Sequence, residues 1–241
     1  MYNQTSISIV DIRNPLDVPS YSPSMAARLV GLSTDRVRRW LRGYEYKYFR
    51  SQPVMKKQDP VIQRSGAAGS SYASFLDLID ILFVKKFIES GISLQKLRLA
   101  LQEAEEILGG QHHFAQRKFW TDGHNIYLQV QDRADAILQL LANGQWVIAP
   151  IIVQTAKHID FSEITGYAER WYPLGRNRCV VLNPKIAFGS PSIIGKGIET
   201  ANVYDLYKAE SENVEAVCSW MGITKNEVKD AVEFEQLLAA A

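Results

Sequence analysis

Arginine is the residue type whose spacing in this sequence points most directly to a chemistry. Four arginines fall within seven consecutive positions, at Arg36, Arg38, Arg39 and Arg42. The guanidinium group can bind a guanine edge in the major groove through two parallel hydrogen bonds, and it can also bind phosphate. This density favours nucleic acid as the ligand, and the alternative is a basic surface that is only solvated.

The stretch after the arginines is also basic and aromatic, and its cations could reach a phosphate backbone. A mobile surface loop is the alternative interpretation. Together with the arginines and the residues before them, it gives the predicted DNA-contacting set: Ser33, Thr34, Arg36, Arg38, Arg39, Arg42, Tyr44, Lys47, Lys56 and Lys57.

The net charge of +1 hides an uneven distribution. Residues 1–100 carry +7 and residues 101–241 carry −6. A basic first part suits nucleic acid, because phosphate neutralisation dominates such affinities, and an acidic remainder suggests a second kind of partner. A solvated imbalance without any partner is the alternative.

Other chemistries are poorly supported. His112, His113 and His124 lack the helical pair spacing and neighbouring cysteines of common metal sites, so we expect no metal ion. The segment 195–197 (Gly-Lys-Gly) is too short for a phosphate-binding loop and is interpreted as a turn. We therefore expect no catalytic residues, no cofactor and no enzymatic activity.

The arginines require a short, well-delimited helix to present them. Ser33 is a suitable cap for a helix over Thr34–Arg42, and Gly43 ends it. Val37, Trp40 and Leu41 share one face of that helix, so they should point inward.

A second helix should precede the arginine helix. Ser22 caps it, Pro23 occupies its first turn, and Gly31 ends it after Val30. Two short helices joined by a glycine turn, with Leu32 between them, predict a helix-turn-helix.

The remaining elements are expected as follows. Strands at 61–62 and 71–73 should flank a loop over 65–70, with helices over 75–89 and 93–108 after it. In the middle, an Asp-Gly turn at 122–123 predicts a hairpin between 119–120 and 126–130. A helix over 132–141 and strands over 146–155 and 167–172 follow it.

The last part of the chain should be helical. After a strand over 178–182, helices are expected near 201–209, 214–221 and 225–238, the last capped by Thr224 with Glu227 three residues later. The predicted fold is mainly α with small β elements. Its domains would be a winged helix-turn-helix with following helices over 1–110, a mixed α/β region over 111–176 and a helical domain over 177–241.

The chain resembles two related groups of proteins. Tyr21–Tyr44 resembles the reading head of MerR-type regulators, and Phe75–Leu108 is similar to the helices after the wing in that group. The whole chain more closely resembles VapB-type antitoxins with a MerR-like head and a C-terminal antitoxin-associated domain. The matching blocks are 15–22, 75–78, 91–94, 180–191, 193–200 and 222–228, although Lys196, Gly197 and Glu199 depart from that family's usual Thr-Arg and Pro.

The resemblance implies an antitoxin of a bacterial type II toxin–antitoxin system. Such a protein would bind and neutralise a PIN-like ribonuclease toxin and repress its own operon by binding operator DNA. A MerR-like regulator whose middle region binds a small effector is the alternative, and the gene context distinguishes the two.

The acidic C-terminal segment is the candidate for toxin binding. After Thr200 it carries a charge of −5, and its last helix combines acidic and apolar residues. The predicted toxin-binding residues are Glu227, Asp230, Phe234 and Leu237, with the domain's own core as the alternative role. Two half-sites on DNA favour a homodimer. A leucine stripe at 94, 97, 101 and 108, together with Ala104, is the candidate interface, and the core of the same chain is the alternative role for these residues.

The expected compartment is the cytoplasm. The two cysteines, Cys179 and Cys218, fit a reducing environment. No apolar run reaches membrane-spanning length, and the first residues lack the features of a signal peptide. We therefore expect no membrane partner.

Overall fold

The protein is mainly helical with three small antiparallel two-stranded sheets in the part of the chain that the structure describes. This computed structural model describes residues 15–49, 53–64, 70–98, 101, 111–116 and 150–240. The predicted hairpin around 122–123, the helix over 132–141 and the end of the helix over 93–108 lie outside these residues. The predicted fold class is confirmed.

The first two helices have the predicted bounds. Helix α1 spans Pro23–Val30, and the Ser22 hydroxyl accepts a hydrogen bond from the Met25 amide at 3.2 Å. Gly31 ends the helix with a left-handed backbone (φ 63°). Helix α2 spans Thr34–Arg42 and is capped in the same way by the Ser33 hydroxyl.

An antiparallel hairpin, which we call the wing, follows α2. Strand β1 (Tyr44–Phe49) pairs with β2 (Pro53–Gln58). The strands of this region were predicted at 61–62 and 71–73 instead, and neither segment forms a strand, so that prediction is wrong. The amides of Val61 and Ile62 instead donate to the Trp40 carbonyl at 3.0 and 3.1 Å, which closes the end of α2, and Ala73 makes a single bridge with Tyr21.

Helix α3 (Phe75–Glu89) is the central element of the fold and matches its prediction. Its apolar residues are buried on nearly all sides, as expected for a helix with neighbours all around it. Residues 94–98 are helical after the Ser93 cap. Leu97 and Leu101 are buried in the core of this same chain, so these members of the leucine stripe are not available to a second copy.

The next described segment contains a helix where a strand was expected. Helix α4 spans Pro150–Lys157, so the strand predicted over 146–155 is wrong in its described part. Pro150 occupies the first helical position, where its missing amide costs nothing, and does not interrupt a strand. Strand β3 (Ile159–Phe161) then pairs with β4 (Ala168–Trp171), which confirms the strand predicted there.

The C-terminal part consists of one small sheet and three helices. Strand β5 (Val180–Val181) pairs with β6 (Ser192–Ile193). Helices α5 (Thr200–Ala209), α6 (Val214–Met221) and α7 (Lys225–Ala240) follow, close to their predicted bounds. At the start of α7, the Thr224 amide donates to Glu227 at 2.6 Å and the Glu227 amide to the Thr224 hydroxyl at 3.3 Å, as the capping box predicts.

The two ends of the chain share the larger hydrophobic core. That core joins α1, α2 and α3 with Val180 of β5 and with Phe234 and Leu238 from the last helix. The Tyr21 hydroxyl donates to the Gly189 carbonyl at 2.8 Å, and Arg28 Nε donates to the Leu238 carbonyl at 3.1 Å. A smaller cluster lies among α5, α6 and α7. The first helices are therefore packed directly on the C-terminal part.

Candidate nucleic-acid interface

Helix α2 buries one face and exposes its arginines on the other. Val37, Trp40 and Leu41 are at most 4% exposed, as predicted from their spacing. Because these residues are anchored in the core, the side chains between them must point outward. All four arginines of the helix are exposed: Arg36, Arg38, Arg39 and Arg42.

Arg39 is held by two neighbours. Its guanidinium lies 2.9 Å from the Asp35 carboxylate, one helical turn earlier, and its central carbon lies 5.3 Å from the centre of the Tyr44 ring. These contacts orient Arg39 along the boundary between α2 and the wing. In the described part of the chain, Arg36, Arg38 and Arg42 form no ion pair, so their charge is available to a ligand.

The wing carries an aromatic face. Tyr44, Tyr46 and Tyr48 alternate along β1 and therefore share a side of the hairpin. The rings of Tyr44 and Tyr46 are 5.8 Å apart, and the Lys56 ammonium lies 4.5 Å from the centre of the Tyr48 ring. Exposed tyrosines beside cations combine hydroxyl donors with positive charge, which suits a sugar–phosphate surface.

Helix α2 and the wing enclose an open groove of about 370 Å³. We call it the α2–wing groove, and it is lined by Asp35, Arg38, Arg39, Arg42, Gly43, Tyr44, Glu45 and Lys57. At Gly43, where φ is 72°, an added Cβ would lie 2.3 Å from the Gln58 carbonyl oxygen. Only glycine therefore allows the wing to turn back this closely against the end of α2.

The predicted DNA-contacting residues all lie on α2, its cap or the wing. Ser33 is exposed but uses its hydroxyl to cap α2, and Thr34 is half-buried. Lys47, Lys56 and Lys57 are exposed on the wing, and Lys57 lies 3.9 Å from Asp59.

Sequence reasoning missed the two acidic residues that line the groove, Asp35 and Glu45. The spacing of Asp35 and Arg39, four residues apart on one helix, was a signal that could have revealed their ion pair.

A buried ionic cluster fixes the parts of the chain that support α3. Arg64 contacts Asp77 at 3.1 Å, with both side chains at most 3% exposed. His112 Nδ1 lies 2.8 Å from Asp80, and its Nε2 lies 3.3 Å from Asp17. Burial by itself lowers the pKa of His112, but the carboxylates of Asp17, Asp80 and Asp77 outweigh it and raise the pKa to about 10.

The charged form of His112 therefore links the segment that carries Asp17 to helix α3, which carries Asp80. Within the described residues no group of three or more histidine, cysteine or acidic side chains could hold a metal ion. His124 lies outside them.

The predicted toxin-binding residues lie in different environments on α7. Asp230 accepts hydrogen bonds from Arg178 and from the Cys179 amide, both at 2.7 Å, and Phe234 is 3% exposed in the larger core. Glu227 caps α7 and contacts Lys196 at 3.1 Å. Leu237 is 54% exposed and is the one of the four with a large free apolar surface.

The first comparison with known proteins concerns the helix-turn-helix. A family described as "Putative DNA-binding HTH domain" matches residues 19–101. The match contains α1, α2, the wing and α3, and it agrees with the N-terminal helix-turn-helix that these elements form.

Two further comparisons cover most of the chain. It is 24% identical over 228 residues to "Putative antitoxin VapB45" of Mycobacterium tuberculosis (strain ATCC 25618 / H37Rv), with 90% of this chain and 94% of that protein covered. The crystal structure of Rv2018 from Mycobacterium tuberculosis has a TM-score of 0.67 at 20% identity, covering 90% of this chain and 98% of that chain. The fold is therefore shared along nearly the whole length.

Proposed function

We propose that this protein is a MerR-like antitoxin that binds operator DNA and represses its own operon. The observation that carries the DNA-binding part is the arginine face of α2 beside the aromatic, basic wing. Three arginines without an ion pair partner in the described residues are available to base edges or phosphates. The wing then adds cations that suit the neighbouring backbone.

The second part of the proposal is neutralisation of a PIN-like ribonuclease toxin. It is supported by the similarity, over nine-tenths of the chain, to a protein named as an antitoxin. The acidic C-terminal helices supply a surface whose charge differs from that of the helix-turn-helix, so the two partners need not compete for one site.

Assembly and location complete the proposal. The protein acts in the cytoplasm, where its operator DNA is located. It acts there as a homodimer, because a twofold pair of recognition helices matches two half-sites in successive grooves. Among the described helices, none has the length and apolar character required to cross a bilayer.

The proposal is tested first on DNA. Purified protein should shift a fragment from upstream of its own gene at lower concentration than a scrambled fragment of equal length and composition. The variant with Arg36, Arg38, Arg39 and Arg42 all changed to alanine should lose the shift while keeping its helical circular dichroism. An unchanged shift in that folded variant would remove α2 from the interface.

The toxin is tested by co-expression. An adjacent gene for a small PIN-like nuclease should arrest growth when expressed alone, and co-expression of this protein should restore growth. The two proteins should also purify as one complex. A chain without such a neighbour, or without rescue, would be a DNA-binding regulator of another kind.

A further inference from the structure

Tyr44 is the first residue of β1, and the backbone on both sides fixes its place against α2. The Gly43 amide donates to the Arg39 carbonyl at 2.9 Å, which closes the last turn of the helix. One residue later, Tyr44 is paired with Gln58 of β2. These two contacts place the Tyr44 side chain beside that of Arg39, at the point where the wing leaves α2.

The guanidinium of Arg39 is held from two sides by groups on different elements. Asp35 on α2 contacts its Nη2 at 2.9 Å, and the ring of Tyr44 on the wing lies under it, 5.3 Å from the central carbon to the ring centre. Within the described residues, its Nη1 and Nε have no hydrogen-bonding or ionic partner. The group is therefore oriented and can still donate hydrogen bonds to a ligand.

We propose that Tyr44 is a positioning residue of the DNA interface, whose ring face holds the Arg39 guanidinium in the orientation in which it binds DNA. This inference rests on the DNA binding proposed above. An arginine loses rotamer freedom when it binds, and this cost falls when the side chain is already oriented. The ring face also attracts the cation electrostatically. The role belongs to the ring, so the hydroxyl of Tyr44 is not needed for it.

Tyr46 provides a matched control on the same strand. It lies on the same face of β1 as Tyr44, and the two side chains are almost equally exposed, at 38% and 36%. In the part of the chain that the structure describes, Arg39 lies over the Tyr44 ring, and no cation lies over that of Tyr46. The two tyrosines therefore differ in the feature to which we assign the function.

The test measures binding of the full-length protein to the duplex from upstream of its own gene by fluorescence anisotropy. Tyr44→Leu removes the ring but keeps an apolar side chain, whereas Tyr44→Phe keeps the ring and removes the hydroxyl. Tyr46→Leu is the control. Tyr44→Leu is also made in the Arg39→Ala background, which completes a double-mutant cycle.

We expect Tyr44→Leu to weaken operator binding by roughly 5- to 10-fold, through the lost cation–ring attraction and the added ordering of Arg39. Tyr44→Phe and Tyr46→Leu should stay within about twofold of wild type. In the Arg39→Ala background, Tyr44→Leu should weaken binding by less than about twofold further, because the group that the ring holds is gone. A residue needed only to fold the wing would act equally in both backgrounds.

Four results would overturn the inference. If Tyr44→Phe weakens binding as much as Tyr44→Leu, the hydroxyl contacts DNA directly. An equal loss from Tyr44→Leu with and without Arg39 assigns the ring a role in folding the wing. Binding by Tyr44→Leu within about twofold of wild type removes the positioning role and leaves the proposed DNA binding standing. A wild-type protein that binds operator and scrambled duplexes alike refutes operator binding, and the positioning role with it.

Discussion

Arg38 and Arg39 are adjacent in sequence, but their surroundings differ enough to predict different results on substitution. Arg38 lines the α2–wing groove and has no ion pair within the described residues. If it reads a base, Arg38→Ala should weaken operator binding by about 1–3 kcal/mol, or about 5- to 150-fold. Binding to unrelated DNA should change little.

Arg39 neutralises Asp35, so its loss has a second effect. The pair is 54% and 67% exposed, and such a surface pair adds little to stability. Near DNA, however, Arg39→Ala leaves an uncompensated carboxylate facing phosphates, and a like-charge contact at 4 Å in water costs about 1 kcal/mol. Adding Asp35→Asn to Arg39→Ala should therefore recover up to about fivefold in affinity.

Fluorescence anisotropy with operator and scrambled duplexes over a range of salt concentrations measures both effects. A base-reading Arg38 leaves the salt dependence nearly unchanged, whereas a phosphate contact lowers the slope of log K against log salt by about 0.9. Asp35→Asn should have its benefit only in the Arg39→Ala background. The reasoning fails if it strengthens wild type and Arg39→Ala equally, or if Arg38→Ala binds the operator like wild type.

Three other predictions concern stability. Phe234→Ala should lower the free energy of unfolding by about 3–5 kcal/mol in urea titrations, because the ring is buried in the core shared with α1; a loss below about 1 kcal/mol would place it outside that core. Tyr21→Phe should cost about 1–2 kcal/mol, since it leaves the Gly189 carbonyl without its donor, and an unchanged melting temperature would contradict this. The pKa of His112 is raised to about 10, so its contribution is complete below its unfolded pKa near 6.5 and is lost as the pH rises through 10. Melting temperatures should fall over that window in wild type and less steeply in His112→Gln, and parallel curves would refute the charge assignment.

Elements marked by local interactions could be predicted from the sequence. Ser22 and Ser33 cap their helices through contacts three residues away, and Gly31 ends α1 with a left-handed backbone. These signals depend only on nearby residues, so the bounds of α1 and α2 follow from them. The exposure of the arginines then follows from helical periodicity once Trp40 and its neighbours are placed inside.

Elements that depend on distant partners could not be predicted in this way. Val61 and Ile62 are apolar because they pack at the end of α2, and their amides bind Trp40 instead of a neighbouring strand. Asp230 is acidic on a helix that should face solvent, yet Arg178, 52 residues earlier, pairs with it. Such contacts leave no local pattern, which is why surface and core roles on α7 could not be separated from sequence.

The contacts between the two ends of the chain also determine when the helix-turn-helix can be completed during synthesis. Arg28 binds the carbonyl of Leu238, 210 residues later, and Tyr21 binds that of Gly189, 168 residues later. At translation rates of about 5–20 residues per second, the ribosome needs about 10–40 s to make the intervening chain. Contacts this distant in sequence also slow folding. A nascent chain can form α1 and α2 early but gains their full support only after these later segments have been made, so shorter products lack the completed core around α2.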